Sequence, residues 1–146
     1  MMKVKQVLSV ALLLWMPTLA AAEVTVENAW LRMPPPAADS AGAYLVLIND
    51  GDRDVKITSV ETDIAGKAEF YSIFFLEGTV LKQKMGAVIV PAHGKLMLSP
   101  GGNHLMLKDL HKTLNAGDHV VLKLNTSDGQ SIEVHAKVRG KRKPQH

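Results

Sequence analysis

After residue 23 the chain alternates apolar and polar residues in short stretches, and this period of two constrains its fold more than any other feature. Successive side chains of a β-strand point to opposite faces, so alternation is typical of strands with one buried face. "EVTVENAWLR" and "HVVLKLNT" show the pattern, and turn-forming segments such as "NDGDRD" and "SDGQ" separate one stretch from the next. About nine such short strands predict an all-β fold, a two-sheet β-sandwich.

Two segments depart from the alternation. "LKDLHKTLNAGD" is the only stretch whose pattern is compatible with a helical turn, and we expect it to connect two strands. "MPPPAADSAG" has three consecutive prolines, which predicts a rigid loop because strands lie close on either side. No internal repeat is found, so the pattern indicates one domain.

The first 22 residues predict a cleaved export signal. Two lysines precede an apolar run at residues 7–15, and Pro17 interrupts this run before three alanines that end at Ala22. The run is too short to cross a bilayer easily. We therefore expect cleavage near Ala22/Glu23, with no stable membrane insertion of the mature chain.

Charge and composition exclude several classes of function. Of 17 lysines and arginines, two lie in the leader, which leaves 15 against 14 acidic residues, and five of these 15 fall within residues 137–146. The body has no clustered basic face, so nucleic-acid binding is not expected. We predict a domain at residues 23–138 and a basic, flexible tail at residues 139–146. The absence of cysteine excludes thiolate chemistry and iron–sulfur clusters, and requires a stable apolar core.

His104 and Met106 are the candidate metal ligands. They lie two positions apart in "GGNHLMLKDL", with Leu105 and Leu107 in the alternate positions. On a strand the leucines would face the core, so His104 and Met106 would point together toward solvent or a shallow pocket. Imidazole and thioether form a soft donor pair that suits Cu(I). A surface histidine beside a half-exposed methionine is the alternative.

Catalysis is not expected. The chain has no nucleophile elbow, no metalloprotease motif and no phosphate-cradling glycine loop. Asp109 lies near His104 in the sequence, but the alternation puts the two side chains on opposite faces. We therefore predict that the protein is not an enzyme.

Several longer segments carry a resemblance to a known family. In chain order they are "VENAWLRMPPP", "AGAYLVLIND", "EGTVLKQK", "VIVPAHGK", "LSPGGNHLMLKDL" and "LNAGDHVVLKL". Together they resemble the periplasmic copper chaperones of the PCuAC family over nearly all of residues 23–138. The resemblance implies a cupredoxin-like β-sandwich in the periplasm that carries Cu(I) to an exported copper protein or another copper carrier.

The resemblance also implies where copper ligands would lie. The family pattern is a histidine, often with a nearby methionine, then ten intervening residues and a methionine, and about 21 residues later His-x-Met. His104 and Met106 match the last element. Counting back, Tyr71 stands at the position of the first histidine, Ile73 at that of its companion methionine, and Lys82 at that of the middle methionine.

These replacements predict a degenerate site. A phenol is protonated at neutral pH and is a hard oxygen donor, and isoleucine has no donor atom. Two positive charges about 4 Å apart repel by roughly 4 kcal/mol at an effective dielectric constant of 20, so Lys82 would oppose a copper ion. Met85 could serve instead only if a bulge turned it to the same face. Met97 and His93 are expected to be ordinary core or surface residues.

Two hypotheses of different classes follow. The first is a copper-handling protein whose Cu(I) site at His104 and Met106 is weak, or is shared with another chain. The second is a metal-free interaction or assembly module of the same fold that serves an exported copper enzyme. In either case we expect Tyr71 and Lys82 to converge on His104 and Met106, with the lysine supplying the charge that copper would bring. The sequence does not determine the oligomeric state, and a homo-oligomer is possible.

Overall fold

A computed structural model of the chain describes residues 14–15 and 24–141. The predicted cleavage point and residues 142–146 of the predicted tail lie outside this described part. Within it, no helix is both long enough and apolar enough to cross a membrane.

The described chain is built from strands, which confirms the predicted all-β class. In chain order they are β1 (Val24–Arg32), β2 (Ser40–Asn49), β3 (Val55–Glu61), β4 (Ala65–Leu76), β5 (Thr79–Met85), β6 (Val88–Val90), β7 (Gly94–Leu98), β8 (His104–Leu110), β9 (His119–Thr126) and β10 (Ser131–Arg139). The sequence predicts about nine, and the structure has ten because stretches as short as the three residues of β6 form separate strands.

One hydrogen-bonded path runs through nine of the strands in the order β5-β4-β8-β2-β1-β10-β9-β3-β6, and β7 pairs with β2 beyond the end of β8. The path folds over so that β3 contacts β4 and β6 contacts β7, which gives the two layers of a cupredoxin-like β-sandwich. β1 and β10 are parallel, whereas the other pairs are antiparallel.

The core lies between the layers and is formed by the inward-facing residue of each alternating pair. Leu105 and Leu107 are fully buried, which confirms the face predicted for them. Other fully buried side chains come from six further strands: Leu31, Leu45, Leu47, Ile57, Val90, Leu122, Leu124, Val134 and Val138. Burial of this apolar surface stabilises a chain that has no disulfide.

"LKDLHKTLNAGD" connects β8 to β9, as the sequence predicts, but it forms no helical turn. Residues 108–110 belong to β8, and the following stretch up to Asp118 contains only bends and a turn. The Asp118 carboxylate accepts a hydrogen bond from the Asn115 amide at 2.9 Å, which closes this turn. Gly117 has a positive φ of 94° and donates its amide to the Val138 carbonyl, so its hydrogen bond goes to β10 rather than along a helix.

The hairpin of β4 and β5 extends past the rest of the sheet. β4 pairs with β8 only as far as Tyr71, and its remaining residues pair with β5 alone. Glu77 and Gly78 form the turn with φ values of 49° and 79°, as a two-residue hairpin turn requires. We call residues 72–83 the hairpin arm. Its apolar end is open to solvent, with Phe75 72% exposed.

Candidate functional site

The candidate ligands lie on the outer face of the sheet, where β8 runs between β4 and β2. His104 is directly opposite Tyr71 of β4. Met106 lies between Glu69 of β4 and Gly42 of β2. Because Leu105 and Leu107 point into the core, His104 and Met106 share the opposite face.

His104 is less accessible than the sequence predicts. Its side chain was expected to face solvent or a shallow pocket, but the residue is only 5% exposed. The ring of Tyr71 covers it in a stacked arrangement, with centroids 5.8 Å apart and planes at 19°. Stacking of this kind adds to the burial of both rings.

A hydrogen bond fixes the tautomer of His104. Its Nδ1 lies 3.0 Å from the carbonyl oxygen of Gly102. A carbonyl oxygen can only accept, so Nδ1 carries the proton in this bond, and the neutral ring keeps its lone pair on Nε2. A backbone partner on one ring nitrogen is the usual way in which a protein orients a metal-binding histidine through the other nitrogen.

The other positions implied by the family spacing lie on the same face. Tyr71 contacts His104, and Ile73 follows on the same side of β4. Lys82 of β5 is opposite Ile73, and its Nζ lies 5.9 Å from the centre of the Tyr71 ring. Tyr71 therefore meets His104 directly, whereas Lys82 stands one strand further away, beyond the tyrosine.

A charged network that the sequence did not suggest surrounds Tyr71. The phenol donates a hydrogen bond to Glu69 Oε2 at 2.8 Å and accepts one from Lys108 Nζ at 2.5 Å. Glu69 also pairs with Lys108 and Lys84, each at 3.0 Å. Lys108 is on β8, and Met106 lies between it and His104 on the same face. The Tyr71 side chain thus runs along this face of β8, with its ring against His104 and its hydroxyl at Lys108.

The network changes the titration of its members. Hydrogen bonds from Lys84, then Tyr71, then Lys108 lower the pKa of Glu69 from 4.5 to about 2. The pKa of Lys108 is raised above 10.5, chiefly by its hydrogen bond with Tyr71 and then by Glu69. Both effects stabilise the charged forms, so at neutral pH the carboxylate balances only part of the positive charge of Lys82, Lys84 and Lys108.

Part of this network could have been predicted from the alternation of the sequence. Glu69 is two residues before Tyr71, and Lys108 is two residues after Met106, so each shares the face of its neighbour. The sequence does not contain the register of β4 against β8, which brings the two charges together.

The remaining candidates are placed elsewhere. Met85 is opposite Phe70 and packs against the core, because the β4–β5 register continues to Met85 without the bulge that would turn it toward His104. Met97 is 53% exposed on β7. His93 lies in a turn and pairs with Asp52 at 2.9 Å. Over residues 24–141, no group of three histidine, aspartate or glutamate side chains could hold a metal ion.

The fold defines a class: β-sandwich domains built like the PCuAC domains of known structure. Residues 24–138 match the family described as "Putative lipoprotein LpqE-like", which is related to the PCuAC domains. The chain therefore belongs to this PCuAC-related family, and the kinship predicted from the sequence is confirmed.

Relatives of known structure support the assignment. A solution structure described as CuI-DR1885 from Deinococcus radiodurans is 30% identical, with a TM-score of 0.68 over 82% of this chain and 81% of that one. The apo PCuAC domain from PmoF1 is 25% identical, with a TM-score of 0.70 over 83% and 98% of the two chains. The copper-bound PCuAC domain from PmoF2 shares the fold, with a TM-score of 0.69 and 21% identity over 83% and 97%.

A curated relative also aligns over most of the chain. "Putative lipoprotein Lxx21020" of Leifsonia xyli subsp. xyli is 25% identical over 117 residues, which are 80% of this chain and 69% of that protein.

Proposed function

We propose that this protein is an exported copper-handling protein of the PCuAC type, with a weak Cu(I) site at His104 Nε2 and the Met106 thioether. Family membership supports the role, since relatives of similar fold are described as copper-bound. The observation that carries the site is the hydrogen bond from His104 Nδ1 to Gly102, which leaves Nε2 as a lone-pair donor on the face of β8 that Met106 shares. Copper is here the cargo that the protein holds and passes on.

The surroundings of these two donors explain why the proposed site is weak. Tyr71 is a hard oxygen donor whose hydroxyl already bonds to Glu69 and Lys108. Three lysines against one glutamate leave the neighbourhood positive, which opposes a cation. Two soft donors without a third or fourth suit transient loading rather than storage.

Titration of Cu(I) against a chromophoric chelator tests the site. We expect wild type to bind one Cu(I) weakly and His104→Ala to lose this binding, since among the described residues it removes the one buried imidazole. Met97→Leu is the matched control, because it removes an exposed thioether on β7 and should leave the affinity unchanged. Tight binding that survives His104→Ala would contradict the proposal.

A metal-free interaction or assembly module is the second candidate, and the network around Tyr71 favours it. Tyr71, Glu69 and Lys108 bond to one another, so the polar groups of this network have partners without a metal ion. Under this hypothesis wild type shows no saturable Cu(I) binding at all. The same titration therefore separates the two functions.

We also propose that residues 1–22 direct export to the periplasm and are removed near Ala22/Glu23, and that the mature protein meets an exported copper protein or another copper carrier. The leader pattern and the family support this. Mass spectrometry of the protein from the envelope fraction should find a terminus at or near Glu23, and an intact Met1 or Met2 terminus would contradict cleavage.

A further inference from the structure

A second group of aromatic and cationic side chains lies on the outer face of the sheet, where β1 runs between β2 and β10. Trp30 and Tyr44 pack with ring centroids 4.7 Å apart. The guanidinium of Arg139 lies over Trp30 at 4.9 Å, and that of Arg32 lies over Tyr44 at 5.7 Å. We call these four residues the Trp30 cluster. Two guanidinium groups thus cover one aromatic pair.

Among the described residues, the positive charge of this region is not paired with an acidic side chain. Arg32 is directly opposite Arg139 in the parallel β1–β10 register, and Lys137 is opposite Trp30. Over the described residues, none of Arg32, Lys137, Arg139 and Lys141 forms an ion pair with a carboxylate. Like charges directly opposite each other in a sheet are unfavourable, so an anion bound between them would be stabilising.

A cavity of about 570 Å³ opens beside the cluster. It is lined by Trp30, Arg32, Arg139, Gly140 and Lys141. This volume lies in the range of pockets that hold small organic ligands. A guanidinium that stacks on a ring still has N–H donors in its own plane, and those donors match the oxygens of a phosphate or carboxylate. The indole of Trp30 offers an apolar wall next to them.

We propose that this cavity binds a small organic phosphate monoester, with the phosphate between Arg32 and Arg139 and the organic part against Trp30. The charge count favours this class over a carboxylate. A monoester carries about −1.5 to −2 at pH 7, which balances two guanidinium groups, whereas a carboxylate carries one negative charge. The cavity is separate from His104 and Met106, so the inference does not depend on copper handling.

Isothermal titration calorimetry of the full chain with four probes tests the ligand class. Phenyl phosphate combines a phosphate monoester with an apolar body, inorganic phosphate lacks the body, and benzoate has the body with one charge. We expect phenyl phosphate to bind about tenfold more tightly than either, a difference of roughly 1.4 kcal/mol. Equal binding of phenyl phosphate and benzoate, or no binding of phenyl phosphate, would overturn the proposal.

The fourth probe distinguishes a soluble monoester from a lipid headgroup, whose phosphate is a diester with one charge. Vesicles of phosphatidylcholine and phosphatidylglycerol in equal parts should not compete with phenyl phosphate. Competition by these vesicles would assign the cavity to a lipid headgroup and overturn the proposed class.

Substitutions locate the binding site. Arg139→Gln and Arg32→Gln should each weaken phenyl phosphate binding about tenfold or more, since each removes hydrogen bonds to a charged group. Lys141→Gln should weaken binding by a smaller factor. Lys141 follows the last strand, so this substitution does not disturb the packing of the sheet. Arg53→Gln removes the same charge in the turn after the other end of β2 and is the matched control. Equal affinity of Arg139→Gln, Lys141→Gln and wild type would refute the site.

Discussion

Two clusters of aromatic rings and cationic side chains lie on the outer face of one sheet, and the difference that matters for binding is whether the cluster contains a carboxylate. Around Tyr71, Lys84 and Lys108 pair with the carboxylate of Glu69, and Lys82 lies 5.9 Å from the centre of the ring. Around Trp30, two arginines cover the rings and no carboxylate pairs with them in the described chain. The first cluster thus holds an internal anion, whereas the second leaves that position to a ligand.

The comparison shows how a sheet surface can gain or lose a binding site without a change of fold. Backbone and register hold both clusters in the same way, with aromatic residues paired across adjacent strands. The side chain that balances the charge decides what else can bind. At Tyr71, the lysines repel a bound cation. At Trp30, the guanidinium groups can donate hydrogen bonds to a bound anion.

The largest effect is expected when the Tyr71 cluster is converted back to soft donors. The double change Tyr71→His with Lys82→Met adds an imidazole and a thioether on the face of His104 and removes one positive charge. We expect Cu(I) binding to tighten at least roughly a hundredfold, about 2.7 kcal/mol, in the chelator competition assay. Lys82→Met alone should recover part of this gain.

The matched control for that experiment is Tyr71→His with Gln83→Met. Residue 83 is next to Lys82 on β5 but faces the other side of the hairpin, opposite Ser72. Its methionine should add nothing to the affinity. If wild type already binds Cu(I) as tightly as the Lys82→Met double variant, the site is not degenerate.

A smaller effect is expected when the Trp30 cluster receives a carboxylate of its own. Lys137 is directly opposite Trp30, so Lys137→Glu places an anion beside the guanidinium of Arg139. We expect phenyl phosphate affinity to fall about tenfold, because an internal ion pair competes with the ligand. Calorimetry measures this loss.

Lys95→Glu on β7 makes the same charge change opposite Ile48, at the other end of β2. It should change the affinity little, and an equal loss in both variants would mean that only overall charge matters.

The smallest effect is expected when the Tyr71 cluster loses its carboxylate. Glu69→Gln should lower the melting temperature by a few degrees at pH 7, since Lys84 and Lys108 lose their partner. The folded-state pKa of Glu69 is lowered to about 2, so its contribution to stability is full above pH 4.5 and disappears as the pH falls toward 2. The difference between wild type and variant should shrink over that window.

Thermal melts between pH 2 and pH 7 measure this difference, and Glu77→Gln, at the turn of the hairpin arm, is the control. A difference that stays constant down to pH 2 would mean that the charge of Glu69 has no role in stability.

Much of the fold was predictable because alternation directly reports which face of a strand is buried. Leu105 and Leu107 identify the face of His104 and Met106 without any knowledge of the neighbouring strands. Family spacing went one step further and named Tyr71 as the residue beside His104, which the β4–β8 register also pairs.

What sequence reasoning missed depends on pairing between distant segments. Burial of His104 results from the Tyr71 ring, and the partners of Glu69 come from two different strands. Trp30 and Arg139 are separated by most of the chain and meet only because β1 and β10 are parallel neighbours. Such contacts cannot be predicted from local sequence patterns, because the register between distant strands depends on the packing of the whole sandwich.

The hairpin arm has a consequence for how molecules of this protein behave at high concentration. Over the described residues, β5 ends the sheet and its outer edge pairs with no other strand. An open edge beside exposed apolar residues such as Phe75 and Val80 invites edge-to-edge association, and lysines on the edge are a common defence. Lys82 and Lys84 occupy that edge. The substitution that favours copper, Lys82→Met, would extend the apolar strip of the arm, so metal affinity and resistance to aggregation are opposed at this one residue.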